Sequence, residues 1–314
     1  MHRVSLERIA QAAGTIDPVF LHSPQFECEP LSAVLGVRLV LKVETANPIR
    51  CFKGRGADWL VSQAAPGRAL VCASAGNFGQ AMAYACRARG RSVTVYAATT
   101  ANPLKLQRMR DLGAAVVLHG TDFDAAKHEA RRVAAAGDAR FVEDGLDVET
   151  VEGAGTIGSE LLERGDGFDE LLVPLGNGAL FNGVARVVKA RRPSARVTAV
   201  QAAGAPAMLE SLRLNRLVQH ASIDTIADGI GVRVPIPQAL EDMRGQVDDG
   251  VLVPDRAILA AMRLIHQHVG LVVEPSGAVG VAAVLERPDA YRGRAVATIL
   301  CGGNLTERQV RDWF

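Results

Sequence analysis

The sequence predicts an α/β fold in which a parallel sheet carries helices on both faces. Short apolar runs rich in Val and Leu alternate with longer helical patterns almost throughout the 314 residues. The runs have strand length and the helical patterns allow three or more turns, an alternation that parallel strands joined by helical crossovers produce. With 48% hydrophobic and 22% charged residues, the chain also has the material for a large buried core in one or two domains.

Taken in order, the strand candidates are Arg38 to Val43, Ala69 to Ala73, Ser92 to Ala97, Ala114 to Leu118, Glu170 to Pro174, Ala195 to Val200 and Ala295 to Cys301. Helical patterns between them include Phe78 to Arg89, Phe123 to Ala136, Leu180 to Arg191 and Asp255 to His268, and one short helix is expected in Asn304 to Phe314. No repeat, low-complexity tract or Pro/Gly-rich linker divides the chain. In such folds ligands sit at the carboxyl ends of strands, in the loops that lead into helices.

Composition excludes several functions. A formal net charge of +1 without a clustered basic stripe gives no footprint for nucleic acid or an anionic membrane, and 4% aromatic content removes a stacking platform for single strands. Cys28, Cys51, Cys72, Cys86 and Cys301 form neither a disulfide framework nor a CxxC pair, so a reducing cytoplasm is expected. The N-terminal stretch lacks the apolar core of a signal peptide, and no later run spans a membrane without a charge. A small-molecule role is what remains.

Unusual residues gather in the loops. Lys53 lies in Asn47-Pro48-Ile49-Arg50-Cys51-Phe52-Lys53-Gly54-Arg55-Gly56-Ala57, where a strand-like run gives way to a helix start. Following Phe52 and flanked by Gly54 and Gly56, it sits where backbone or ligand can approach closely. An amine held there serves as nucleophile or base, although a plain surface lysine fits the same spacing. Ser74-Ala75-Gly76-Asn77-Phe78-Gly79-Gln80 opens a helix after a strand, where unpaired N–H groups seat a carboxylate; an N-cap with a tight turn uses the same residues. Pro174-Leu175-Gly176-Asn177-Gly178-Ala179-Leu180 leaves open amides at the next helix start, a seat for phosphate. Its spacing matches neither GxGxxG nor the P-loop, which favours a single phosphate monoester. In Cys301-Gly302-Gly303-Asn304 the thiol offers one weak hydrogen bond, and a buried strand-end Cys beside a glycine turn is the alternative.

A lysine amine, a carboxylate seat, a monophosphate seat and a weak donor are together what pyridoxal 5'-phosphate and an amino acid require. Cys51-Phe52-Lys53-Gly54-Arg55-Gly56-Ala57 looks like an S-F-K-x-R-G-A motif, Ser74-Ala75-Gly76-Asn77 like S-x-G-N, and Gly176-Asn177-Gly178-Ala179 like a phosphate-binding glycine loop. In these motifs the chain resembles the fold-type II pyridoxal-phosphate enzymes, most closely the threonine/serine dehydratase branch related to serine racemase. The likeness continues through Thr225-Ile226-Ala227-Asp228-Gly229, Glu274-Pro275-Ser276-Gly277-Ala278 and Cys301-Gly302-Gly303-Asn304 and covers nearly the whole chain.

The resemblance implies a tryptophan synthase β-like α/β architecture: two doubly wound open parallel-sheet domains with the cofactor between them. Residues 1–63 and 148–314 would form a discontinuous large cofactor-binding domain, and residues 64–147 a small mobile domain with the substrate carboxylate loop. Lys53 would hold the cofactor as an imine and, displaced by substrate, remove the α-proton. Phe52 would bind the cofactor beside it. Amides of Gly176, Asn177, Gly178, Ala179 and Leu180 would bind the phosphate, Asn77 the ring oxygen, and Cys301 would face the pyridine nitrogen and leave it unprotonated. Ser74, Ala75, Gly76, Asn77 and Phe78 would clamp the substrate carboxylate, with Gly229 near the substrate amine and Glu274 near the cofactor ring. No divalent metal is implied, since Gln201 and Ala207 stand where serine racemase-like relatives carry two carboxylates.

The chain also departs from the pattern: Cys51 stands for Ser, Ile49-Arg50 for Thr-Gly, Phe78 for His, and Asn177 and Ala179 for Gly. None removes a reactive group. Phe78 and Arg50 bear on the substrate side chain and point to a larger or more apolar β-substituent than methyl. The reading is a cytoplasmic, homodimeric ammonia-lyase (dehydratase) that converts a β-hydroxy-α-amino acid, L-threonine or L-serine, to a 2-oxo acid and ammonia by α,β-elimination. Racemisation, β-replacement and dehydration of a bulkier 3-hydroxy amino acid stay open, as does a non-catalytic binding protein with a structural Lys53.

Elimination without racemisation is expected. Racemisation needs a second acid/base opposite Lys53, and Ala75 replaces the Ser that resembles that group in serine racemase-like relatives. Incubation with L-serine or L-threonine in deuterated water should give 2-oxo acid and ammonia in equal amounts; substantial inverted, deuterium-labelled amino acid would contradict the expectation.

Overall fold

Strands segregate into two sheets in the computed structural model, which describes residues 2–165 and 167–314. They are β1 Gln25–Glu27, β2 Arg38–Val43, β3 Ala69–Ala73, β4 Val93–Ala97, β5 Ala115–Leu118, β6 Ala139–Val142, β7 Glu170–Pro174, β8 Arg196–Ala202, β9 Asp249–Val253 and β10 Ala295–Leu300. The 6-stranded sheet runs β1-β2-β10-β7-β8-β9 and is parallel except for the β1–β2 pair. The 4-stranded sheet, β5-β4-β3-β6, is parallel throughout. The architecture is α/β, as the alternation of patterns predicts. Strands β1, β6 and β9 were not expected: β1 has three residues, β6 includes Arg140, and β9 begins with the turn-like pair Asp249-Gly250.

The expected strands of the larger sheet are apolar almost without interruption because both faces are covered. Along β2, Val40 enters one apolar cluster with Leu171, Val173, Ala297 and Ile299, while Leu39, Leu41 and Val43 enter another with Leu172, Val279 and Val296. Successive side chains point to opposite faces, so each strand feeds two cores. In the smaller sheet Leu70, Cys72, Val93 and Val95 share a cluster with Trp59, Leu60, Phe78 and Met82. On its other face Val71 and Tyr96 share one with Ala126, Ala130 and Ala134 of the helix Phe123–Ala136. Two helices have central stretches without a solvent-exposed face: Thr150 to Leu161 within Val148–Glu163, and Pro275 to Val284 within Pro275–Glu286, are buried at every position.

The helix Lys53–Gln63 begins at the lysine singled out above, and its position is fixed from two sides. It crosses Val148–Glu163 so closely that a Cβ at Gly153 would lie 2.5 Å from Arg55 O, and one at Gly56 2.6 Å from Thr150 O. Only glycine admits backbone approach of that kind. Arg55, fully buried, then binds two carboxylates. Its Nε and Nη2 each donate to Glu44 at 2.8 Å, Nη1 donates to Glu160 Oε1 at 2.6 Å and to Thr156 Oγ1 at 3.0 Å, and Nη2 also reaches Glu160 Oε2 at 2.9 Å. Lys42 Nζ donates to the same Glu160 at 2.6 Å. Burial would raise the Glu160 carboxyl, but Arg55 and Lys42 outweigh it and hold it down at about 2.

Replacing Arg55 by Met leaves Glu44 and Glu160 buried with too little positive charge. Breaking a buried ion pair on one side costs about 3–5 kcal/mol, so the denaturant midpoint of Arg55→Met should fall by that equivalent. A midpoint within about 1 kcal/mol of the parent would show that the network does not anchor this helix.

Candidate active site

Loops at the carboxyl ends of β3, β6, β7 and β10 converge on the start of the helix Lys53–Gln63. Cys51 pairs with Gly302 in an isolated antiparallel bridge, and Phe52 N donates to Cys301 O at 3.0 Å. The chain before Lys53 is thereby tied to the end of β10. Lys53 is the first helical residue, its side chain is 13% exposed, and Nζ lies 4.5 Å from the centroid of the Phe52 ring.

Lys53 Nζ is ion-paired with Asp144, in the loop after β6. Asp144 is a residue that sequence reasoning missed. The same carboxylate oxygen accepts a hydrogen bond from Asn177 Nδ2 at 2.6 Å, and that amide also donates to Asp144 O at 2.9 Å. The available signal was the turn-forming pair Asp144-Gly145 shortly after a short strand, and Gly145 does take φ +83°. In the Gly176 to Leu180 loop, Gly178 takes φ +100° and the helix Ala179–Arg191 begins without a side-chain cap hydrogen bond. The amide of Ala179 is turned to Asn177 Oδ1 at 3.2 Å.

On the other side of the cleft Asn77 Nδ2 donates to Glu274 Oε1 at 2.8 Å, and Asn77 Oδ1 accepts from Asn304 Nδ2 at 2.9 Å. Asn304 N donates to Glu274 Oε2 at 3.0 Å, while Arg108 Nη1 donates to Asn304 Oδ1 at 3.2 Å. These contacts join the loop after β3 to the larger sheet. Ser74 Oγ accepts from Gly76 N at 3.2 Å and Gly79 N at 2.9 Å, so its hydroxyl organises its own turn. A Cβ on Gly76 would meet nothing within 4 Å, which leaves open space beside Ala75. Phe78 is buried in the cluster that includes Ile49 and Cys51.

Electrostatics divide the cleft. Burial, aided by the charge of Asp228, pushes the Glu274 carboxyl up to about 7 against the hydrogen bonds from Asn304 and Asn77. Burial also pushes the Cys301 thiol well above its ordinary value, so it is a neutral group; it donates to Ser276 O at 3.4 Å. Gly229 and Gly302 pack around these side chains: a Cβ on the first would lie 2.7 Å from Ser276 Oγ, and on the second 2.3 Å from Glu274 Oε1.

The residues present fit the cofactor that the sequence motifs imply. Among the described residues, Ser276 Oγ and Asp144 Oδ1 are buried without a hydrogen-bond partner, one beside the neutral thiol and one beside the lysine amine. Buried polar atoms are normally hydrogen-bonded, so these two have capacity for a ligand at this site. A helix start with a glycine at its N-cap, a lysine amine and a neutral thiol supply what a phosphate, an aldehyde carbon and a pyridine nitrogen need.

Comparison with known proteins agrees with this geometry. The family described as "Pyridoxal-phosphate dependent enzyme" matches residues 16–302, and the chain belongs to that family. It is 35% identical over 305 residues to the L-threonine ammonia-lyase of Thermotoga maritima, covering 96% of this chain and 76% of that one. Among solved structures, maize serine racemase superposes with a TM-score of 0.93 at 27% identity, covering 98% of this chain and 96% of that chain. The processed form of threonine deaminase isoform 2 from Solanum lycopersicum gives 0.90 at 28% identity, covering 98% of this chain and 88% of that chain. The fold is therefore that of the fold-type II pyridoxal-phosphate enzymes, and pyridoxal 5'-phosphate is the cofactor.

Glu274 makes the stability of the cofactor-free protein pH-dependent. Below its ordinary value of 4.5 the carboxyl is protonated folded or unfolded. As pH rises toward about 7 the unfolded chain releases the proton and the folded chain retains it, so stability is lost across this window. At about 1.4 kcal/mol per pH unit of difference, thermal melts of the cofactor-free parent should lose a few kcal/mol relative to Glu274→Gln between the two limits. Parallel pH curves for the two proteins would contradict this.

Proposed function

We propose that this enzyme is an ammonia-lyase for β-hydroxy-α-amino acids, with L-threonine or L-serine as substrate, and that the residues gathered in the cleft carry the reaction. The observation that carries it is the placement of Lys53 Nζ at a helix start, in a cleft where a phosphate seat and a carboxylate seat both open. The names of the relatives, threonine ammonia-lyase and threonine deaminase, support elimination over the other reactions of the family. Amides of Gly176 to Leu180 hold the phosphate, Asn77 bonds the ring oxygen, and Phe52 borders the lysine end. The neutral Cys301 thiol and Ser276 Oγ face the pyridine nitrogen without charging it. Gly229 and Glu274 line the ring. The bound cofactor supplies an electron sink for the pair left on Cα.

Lys53 removes the α-proton. Backbone amides of the loop Ser74, Ala75, Gly76, Asn77 and Phe78 orient the substrate carboxylate and bring Cα within reach of Lys53. We assign residues 64–147, which hold the 4-stranded sheet, to a small mobile domain, and residues 1–63 with 148–314 to the large one. Polar contacts such as Asn77 to Glu274 and Lys105 to Asp228 cross that boundary, and Trp59 and Leu60 pack over it. Five cysteines without disulfides support a cytoplasmic location, and the resemblance supports a homodimer. Among the described residues no helix is long and apolar enough to cross a membrane.

A screen of β-hydroxy amino acids for 2-oxo acid release tests the substrate class: release from L-threonine or L-serine is expected, and release from none of them would overturn it. Lys53→Ala should lower turnover by at least about 1,000-fold, because imine and base are lost together, while the folded protein is retained. Turnover near that of the parent would show that another residue carries the reaction.

A further inference from the structure

We propose that Asp144 is the positioning residue of Lys53: its carboxylate holds the free amine in place and faces the charge that Nζ acquires when it takes the α-proton. The inference rests on the function proposed above for Lys53. The free amine is the form to which Lys53 returns each time the substrate displaces it. Nζ points to Asp144, not to solvent, within a pocket that leaves both side chains less than one-seventh exposed, 13% and 12%.

Asp144 is itself held. Asn177 Nδ2 donates to Asp144 Oδ2 and to Asp144 O, which fixes both ends of the residue from the phosphate loop. This accounts for a side chain at a place where the family pattern has glycine. The backbone complies, since Gly145 takes φ +83° and a Cβ there would lie 3.0 Å from Asn177 O. Oδ1, buried and without a partner among the described residues, remains free to accept one further hydrogen bond. The thiols of Cys51 and Cys301, which interact with Lys53 and Glu274, are both raised by burial and therefore neutral. Asp144 is the carboxylate that touches Nζ. When the Cα–H bond breaks and the N–H bond forms, the electron pair stays with Cα and Nζ becomes cationic. A charge-assisted hydrogen bond to a fixed carboxylate stabilises that product of the proton transfer.

The test uses the enzyme loaded with pyridoxal 5'-phosphate and L-alanine, which has an α-proton and no leaving group. Deuterium exchange at Cα then reports the base without requiring elimination. In Asp144→Asn the exchange rate at saturating L-alanine should fall about 10- to 100-fold with KM changed by less than about threefold, the range expected for a hydrogen bond to a charged group. The yellow band of the loaded enzyme should also be lost at lower pH than in the parent, because a carboxylate beside this nitrogen favours its protonated form. Asn177→Gly, which keeps the charge and removes its tether, should slow exchange as well, and the double variant should be no slower than Asp144→Asn alone. Exchange within twofold of the parent in both single variants, or unchanged spectral titration in Asp144→Asn, overturns the assignment. A parent that exchanges L-alanine yet releases no 2-oxo acid from hydroxyamino acids overturns the proposed reaction and leaves the exchange comparison to decide the role of Asp144.

Discussion

A buried arginine between two buried carboxylates is the constraint on which the rest of this molecule depends. Arg55, Glu44 and Glu160 lie on the helix that starts at Lys53, in the segment after β2, and on the helix Val148–Glu163, so one side chain fixes three parts of the chain. Burial penalises the charges in the group, lowering Lys42 and opposing the ionisation of Glu160, and their mutual attraction and hydrogen bonds offset that cost. Such a cluster tolerates little displacement, because a shift that lengthens one bond leaves a charge unpaired in a medium that cannot solvate it. Two residues before Arg55, Lys53 is held to the same tolerance.

Given that anchor, the cleft is an arrangement of charge around one amine. The Asp144 carboxylate lies at the lysine, and the neutral Cys301 thiol lies at the end of β10. Glu274 is positioned between the two halves and shares its oxygens with an amide from each loop, Asn77 and Asn304. With Lys53 as the proposed base and Cys301 as the proposed partner of the ring nitrogen, a negative charge beside the first and none at the second would suit proton removal followed by prompt loss of a β-substituent, because an uncharged ring stores the electron pair less deeply than a pyridinium does.

Much of this was legible in the sequence, and for a physical reason. Strands buried on both faces, such as β2 and β7, are written as unbroken apolar runs, and loops at their carboxyl ends are written as glycine with small polar residues because ligands need backbone amides. Lys53, Asn77, the Gly176 to Leu180 loop and Cys301 all came from such signals. Asp144 did not, because a carboxylate after a short strand that includes Arg140 looks like any solvated turn; its partners lie 91 and 33 residues away. Asn304, which bridges Asn77, Ile49 O and Arg108, was quoted only as the end of a motif, since nothing local shows where its amide reaches. Ser74 illustrates the reverse: the clamp and the N-cap are written with one residue type, and its hydroxyl is engaged with the turn.

The proposed reaction depends on one covalent bond, between Lys53 and the cofactor. Reduction of the loaded protein with borohydride followed by proteolysis and mass mapping locates that bond directly. A single pyridoxyl modification on the peptide that contains Lys53, in near-equal proportion to the chain, is the result this account requires. Modification of Lys42, Lys105 or any other lysine in place of Lys53, or no stable incorporation at all, would contradict it.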